Sequence, residues 1–189
     1  LDPRGVPRHD PKTLRLDRLP IYVAGDATGG GANLQVAAEQ GRIAGYNGCH
    51  PRPIKFGIKT AMSIVFSEPN IAWVGPSWPA LDQTNLVVGQ QRFGPVGRAM
   101  IMGQNRGLLR VYAERRSGRV LGGAMVGPRC EHLAHLLAWG VQQRLTVEQM
   151  LQMPFYHPVI EEALQDALKD LARLLRRTRA RPSLAARRP

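Results

Sequence analysis

Between residue 159 and about residue 175 the apolar side chains return every three or four positions: Ile160, Ala163, Leu164, Ala167, Leu168, Leu171, Leu174 and Leu175. That is the period of an α-helix with one apolar face. Such a face needs a second layer to lie on, and the stretch upstream supplies one. Short β-type runs occupy 60–66, 71–74, 85–90, 98–102, 108–114 and 120–126, separated by turn formers such as Glu68-Pro69-Asn70 and Ser117-Gly118. Arg116-Ser117-Gly118-Arg119, between the last two runs, signals a hairpin. Residues 79–82 read as a helical turn between strands. Two more helical patterns precede the final one. Residues 131–142 put Leu133, Leu136, Leu137 and Val141 on one face, and Thr146-Val147-Glu148-Gln149 is a capping-box pattern. Strands joined by tight turns and followed by helices predict an α+β fold, an antiparallel β-sheet with helices on one side.

The part before residue 56 has a different texture. Residues 1–19 are rich in Pro, Asp and Arg and carry no period. Ile21-Tyr22-Val23-Ala24-Gly25-Asp26 predicts a short buried strand ending in a Gly-Asp turn. A Gly-rich loop follows, then a small-residue helix from a cap at Asn33 to about Asn47. Glycines let a ligand approach the backbone, and a helix N-terminus offers free amides. The same residues also serve plain turn chemistry in many strand–loop–helix connections. One strand cannot make a parallel sheet, so this piece reads as a strand-helix remnant. The expected organisation is 1–55, 56–177 and a basic disordered tail, 178–189. The opening Leu1-Asp2-Pro3-Arg4 has no Met and no signal-peptide character, which suggests a fragment or a processed chain.

The stretch with chemical promise is Pro154-Phe155-Tyr156-His157-Pro158-Val159-Ile160-Glu161-Glu162. Proline suits a first helical turn and pushes the preceding residue out of the helix. His157 therefore stands at the mouth of a helix expected from about residue 159, with Glu162 within its first turns. A carboxylate holding one imidazole nitrogen sets the tautomer and raises the basicity of the other, which is the requirement for a general base. A capped helix start uses the same residue types without chemistry.

Charge and cysteines narrow the classes. The net charge is +12, and seven arginines with no acid lie between 173 and 189. Such a run suits an acidic partner or nucleic acid. No aromatics are interleaved with it and no nucleic-acid motif accompanies it, which argues against nucleic acid. Cys49 and Cys130 are too far apart in sequence to read as a redox or metal motif. A reducing, cytoplasmic setting is expected. No apolar run is long enough to cross a bilayer, so no membrane partner is expected. His132 and His135 lack companion ligands, and no metal is expected.

Taken together, several motifs resemble those of the FAD-dependent pyridine nucleotide–disulfide oxidoreductases, in their dihydrolipoamide dehydrogenase-like branch. Ile21-Tyr22-Val23-Ala24-Gly25-Asp26-Ala27 is similar to a flavin-contact motif, and Ala37-Ala38-Glu39-Gln40-Gly41-Arg42 follows at the family's distance. Ser67-Glu68-Pro69-Asn70-Ile71-Ala72-Trp73-Val74-Gly75 resembles the opening of the C-terminal dimerisation domain. Gly118-Arg119-Val120-Leu121-Gly122-Gly123-Ala124-Met125-Val126-Gly127 resembles its hairpin, and His157-Pro158 with Glu162 its acid–base motif. The resemblance implies FAD, with Asp26 on the ribityl chain, Gly25 allowing close approach, and Asn33, Leu34 and Gln35 at the flavin's pyrimidine edge. It implies NAD or NADP as the second cofactor. It implies a homodimer in which His157 and Glu162 serve the other subunit's active site, and an FAD-domain remainder elsewhere in the same protein. The family's cysteine pair, dinucleotide fingerprint and NAD(P) domain have no counterpart in this sequence, so the fragment alone is expected to be inactive. Gln35 also stands where many members have His. Two rivals remain: a stand-alone dimeric interaction module whose basic tail binds an acidic partner or RNA, and a flavoenzyme relative without disulfide chemistry.

Overall fold

The computed structural model describes residues 1–30 and 33–179, with side chains up to Arg177. The chain divides into two compact units, Leu1–Lys59 and the part from Thr60 onward.

The first unit is built around helix α1, Leu34–Gly48. Asn33 caps it as expected, its side chain accepting from the amides of Gln35 and Val36. Near the other end Asn47 is fully buried. It donates to the Thr13 and Ile54 carbonyls at 3.0 and 3.1 Å and accepts from the Ile54 amide at 2.9 Å. This one carboxamide ties segments on both sides of α1 to the helix. Leu14 is the only buried apolar side chain of this unit among the described residues.

The predicted buried strand at 21–26 does not form. Tyr22 makes a single isolated bridge to Arg15, Ile21 is half exposed, and Gly25–Thr28 turn into a 3₁₀-helix. A strand needs a ladder along its length, and one bridging residue is all this unit offers it.

The second unit is one five-stranded antiparallel sheet: β1 (Met62–Val65), β2 (Asn70–Val74), β3 (Leu86–Arg92), β4 (Leu108–Glu114) and β5 (Val120–Gly127), in the order β1-β2-β5-β4-β3. The expected hairpin joins β4 to β5, with Gly118 at φ 74 donating to the Glu114 carbonyl. Alternation puts Ala72, Val74, Val87, Leu109, Val111 and Met125 on one face. Helices α3 (Cys130–Gln142), α4 (Val147–Leu151) and α5 (Glu162–Arg179) share one core with that face. Leu133, Leu137, Leu164, Leu168 and Leu171 lie within it at 0–1% exposure, so the periodic leucines of the sequence are its floor. Tyr112, Leu86 and Leu81 form a smaller cluster with Val88, Leu121 and Ala124.

Three boundaries differ from expectation. Residues 98–102, read as a strand, lie largely within a short helix, α2 (Gly97–Ile101). A short apolar run is compatible with either period; Val96 and Ala99, three apart, both enter the core, and only a helix puts them on one face. The turn expected at 79–82 appears as a 3₁₀-helix at Trp78–Ala80, followed by another at Gln83–Asn85. The last helix starts at Glu162 rather than near 159 and continues to Arg179. Ahead of it, Ala163 and Leu164 donate to the carbonyls three residues back, at Ile160 and Glu161, which makes a tightened turn. The rest of the predicted tail, 180–189, lies outside the described residues.

The contact of α5 with β3 is close enough to require glycine. A Cβ at Gly89 would fall 2.5 Å from the Ala167 carbonyl oxygen and 2.5 Å from Leu171 Cγ. Gly89→Ala is expected to cost about 1–3 kcal/mol through overpacking. Gly94→Ala, where nothing lies within 4 Å, is expected to stay within about 0.5 kcal/mol of the parent. Urea unfolding of the two variants checks the contrast.

Candidate active site

α4 ends at Leu151 and α5 begins at Glu162. α4 opens with the predicted capping box: Thr146 Oγ1 accepts from the Gln149 amide at 3.2 Å, and Gln149 Oε1 accepts from the Thr146 amide at 2.9 Å. In the intervening loop Phe155 packs against the core and Ile160 is buried within it. Tyr156 and His157 stand out between these two anchors, and the His157 side chain is 78% exposed.

His157 Nδ1 lies 2.8 Å from Glu162 Oε1. The other carboxylate oxygen, Oε2, accepts from the Val159 amide at 3.1 Å. The Glu162 carboxyl is held below its ordinary range, first by the His157 hydrogen bond and then by the Val159 N–H. An ionised carboxylate can only accept, so Nδ1 must be the donating nitrogen and carries the proton. In the neutral ring Nε2 then holds the lone pair. Glu162 is also the first residue of α5, where the helix dipole favours negative charge. The arrangement can take up a proton at Nε2 and stabilise the resulting imidazolium through the carboxylate.

The sequence pointed to His157 and Glu162, and they are hydrogen-bonded. It missed the Val159 amide, because a backbone donor leaves no mark on residue type. Pro158 also lies further from the helix than its sequence pattern suggests, four residues before Glu162.

The five other candidates lie in the first unit. Gly25 has φ 67, its amide donates to Gln40 Oε1 at 2.7 Å, and a Cβ there would meet Ala37 Cβ at 3.3 Å. Gln40 was not among the candidates; a bond spanning 15 residues has no signal in a single sequence. Asp26 is exposed, within the 3₁₀-helix, and its carboxylate has no partner among the described residues. At α1, Asn33 Oδ1 accepts from Gln35 at 3.0 Å and from Val36 at 3.4 Å. The Gln35 amide is therefore already bonded, while the Leu34 and Gln35 side chains are exposed.

Of the two cysteines, Cys130 is buried, and burial pushes its thiol up to about 12. It stays protonated and is a poor nucleophile. Cys49 is exposed, in the first unit. Among the described residues no helix is long and apolar enough to cross a membrane.

Comparison with known proteins adds the following. Residues 61–168 match the family profile described as pyridine nucleotide-disulphide oxidoreductase, dimerisation domain. A dihydrolipoyl dehydrogenase of Haloferax volcanii is 31% identical over 159 residues, covering 82% of this chain and 33% of that protein. An NAD(P)H dehydrogenase (quinone) of Mycobacterium tuberculosis is 31% identical over 154 residues, covering 80% and 31%. The chain thus spans about a third of the length of the curated relatives it matches. The crystal structure of LpdA from Mycobacterium tuberculosis superposes with a TM-score of 0.74 at 28% identity, over 89% of this chain and 36% of that one. The flavoprotein disulfide reductase RclA of Escherichia coli shares the fold, with a TM-score of 0.73 at 21% identity over 89% and 39%.

The low carboxyl range of Glu162 sets a direction for pH. Its stabilising contribution is present above the ordinary glutamate range and is lost as pH falls through the depressed value. Thermal unfolding below about pH 4.3 should weaken the parent more steeply than Glu162→Gln. Identical acid profiles would show that the pair contributes nothing to the fold.

Proposed function

The chain belongs to the pyridine nucleotide–disulphide oxidoreductase family, and on that premise we propose that it is the C-terminal portion of a flavin-dependent dithiol/disulfide oxidoreductase. The enzyme is dihydrolipoamide dehydrogenase-like and NAD(P)-linked. This portion supplies the dimer interface and the acid–base pair His157 and Glu162. The observation that carries the reading is the 2.8 Å bond from His157 Nδ1 to Glu162 Oε1 beside an exposed imidazole.

A thiol attacks a disulfide only as thiolate, so dithiol oxidation needs a group that removes a proton near neutral pH. Nε2 of His157 takes the proton of the substrate thiol. Glu162 stabilises the imidazolium that results, and Val159 N–H keeps the carboxylate turned toward the ring. The thiolate then attacks a disulfide carried elsewhere in the protein, forming a mixed disulfide as the old S–S bond breaks and its other sulfur leaves as thiolate. Buried, protonated Cys130 is unsuited to that part. In the reverse direction His157 returns the proton to the leaving thiolate.

FAD, when bound, would supply the two-electron acceptor between the dithiol and NAD or NADP. The first unit has groups that fit part of such a cofactor. Asp26 offers an exposed carboxylate, without a partner among the described residues, to a ribityl hydroxyl, and Gly25 adds no side chain beside it. At the helix end the Gln35 amide is taken by Asn33. The pyrimidine edge is assigned to the α1 N-terminus at Asn33, Leu34 and Gln35, where the Leu34 and Gln35 side chains are exposed. Residues 1–55 are in this reading the C-terminal remnant of the FAD domain, and 56–177 the interface domain. The exposed Leu34, Ile21 and Val36 are side chains that the remainder of an FAD domain would cover. Homodimer formation is supported by the family's own description of this domain and by exposed Val65, Phe66, Ile71 and Trp73 on and beside β1 and β2.

In the longer protein carrying this chain, His157→Ala is expected to lose about two to four orders of magnitude in dithiol oxidation, the usual share of a general acid–base group. Flavin absorbance should be unchanged. Normal turnover in that variant would refute the assignment. So would an upstream coding sequence without a Cys-x-x-x-x-Cys pair. The chain alone, supplied with FAD, NADH and lipoamide, is expected to show no turnover.

A further inference from the structure

The acid–base reading does not use the other end of α5. There a groove of about 410 Å³ lies between α5 and the edge strand β3, lined by Gln91, Leu151, Asp166, Lys169, Arg173 and Arg176, with Ala172 beneath. We propose that this groove docks an acidic peptide segment of a partner protein.

Lys169, Arg173 and Arg176 recur at four- and three-residue steps, so they share one helix face. At 1.5 Å per residue they span about 10 Å. Lys169 Nζ is held by Asp166 at 2.9 Å and Gln165 at 3.1 Å, and Arg173 by Asp170 at 3.2 Å. These cations are already ordered, which lowers the entropy lost on binding. Arg176 Nε donates to the Ala172 carbonyl, and neither Arg176 nor Arg177 has a carboxylate partner among the described residues. Leu151 and Ala172 supply an apolar floor between the charges.

This chemistry selects among polyanions. Asp166 lies among the cations of the lining, so a continuous phosphate backbone would meet like charge there. The lining contains no aromatic ring on which bases could stack. A peptide with spaced carboxylates and small aliphatic side chains meets the cations without that repulsion and covers the floor. The chain's own end is an unsuitable occupant. Arg181, Arg187 and Arg188, which lie outside the described residues, carry the same sign as the groove.

The test is fluorescence anisotropy of the full chain with a labelled Glu-Glu-Leu repeat peptide. Comparison probes are the same peptide with Gln for Glu and a labelled oligouridylate. R173E/R176E is expected to weaken Glu-peptide binding by about tenfold, as reversal of two exposed charges allows. R52E/R106E, with the same change in net charge at exposed positions that do not line the groove, should leave it unaltered. The Gln peptide should not bind. Equal losses in both double variants would overturn the proposal, as would no binding to the parent. Loss confined to oligouridylate in R173E/R176E would make nucleic acid the ligand and also overturn it. If R173E/R176E fails to fold by circular dichroism, R173Q/R176Q reads the same contrast.

Discussion

Ala163, Leu164, Ala167, Leu168 and Leu171 are at most 1% exposed against the sheet, and Gly89 lets the backbone of α5 come down onto β3. A helix seated that closely has little freedom to slide or turn. Its first residue, Glu162, is therefore placed by packing elsewhere along the helix. The imidazole is placed in turn by Glu162. Burial of an apolar stripe, about 25 cal/mol per Å² removed from water, thus does more than hold the second unit together. It also sets the position of the carboxylate that holds the exposed His157 ring.

The pair itself is local. Five positions separate His157 from its carboxylate partner, and both oxygens of Glu162 are engaged within that short stretch. Phe155 and Ile160 anchor the loop's two ends in the core, which keeps His157 outside it. The exposure of the ring is what an acid–base group acting on another molecule requires. A buried imidazole could hold the same hydrogen bond and reach nothing. Along α5 the acids Glu162, Asp166 and Asp170 lie in the first half and Arg173, Arg176 and Arg177 lie beyond them, with Lys169 between the last two acids. That order follows the helix dipole and leaves opposite ends of one helix suited to different partners.

The elements that were legible in the sequence are those in which one period persists or a cap has a fixed chemistry. The α5 stripe, the α3 leucines, Asn33 at α1 and the Thr146–Gln149 box all belong to this class. Failures came where a short run fits two periods. Residues 98–102 form a helical turn because Val96 and Ala99 must both reach the core. Residues 21–26 have strand composition but no ladder to join. Local preference of about 1 kcal/mol or less per residue cannot decide such cases against packing.

The amino-acid sequence by itself determined the fold class, the helix faces and the pairing of His157 with Glu162, because these rest on spacing along one chain. Only the tertiary structure decided where α5 begins, that Val159 N–H holds the second oxygen, that Gln40 braces Gly25, and that the cations of α5 border a groove with β3. Those features depend on backbone donors, on contacts between residues far apart in sequence and on how closely two elements approach. None of these is encoded in the identity of a single residue.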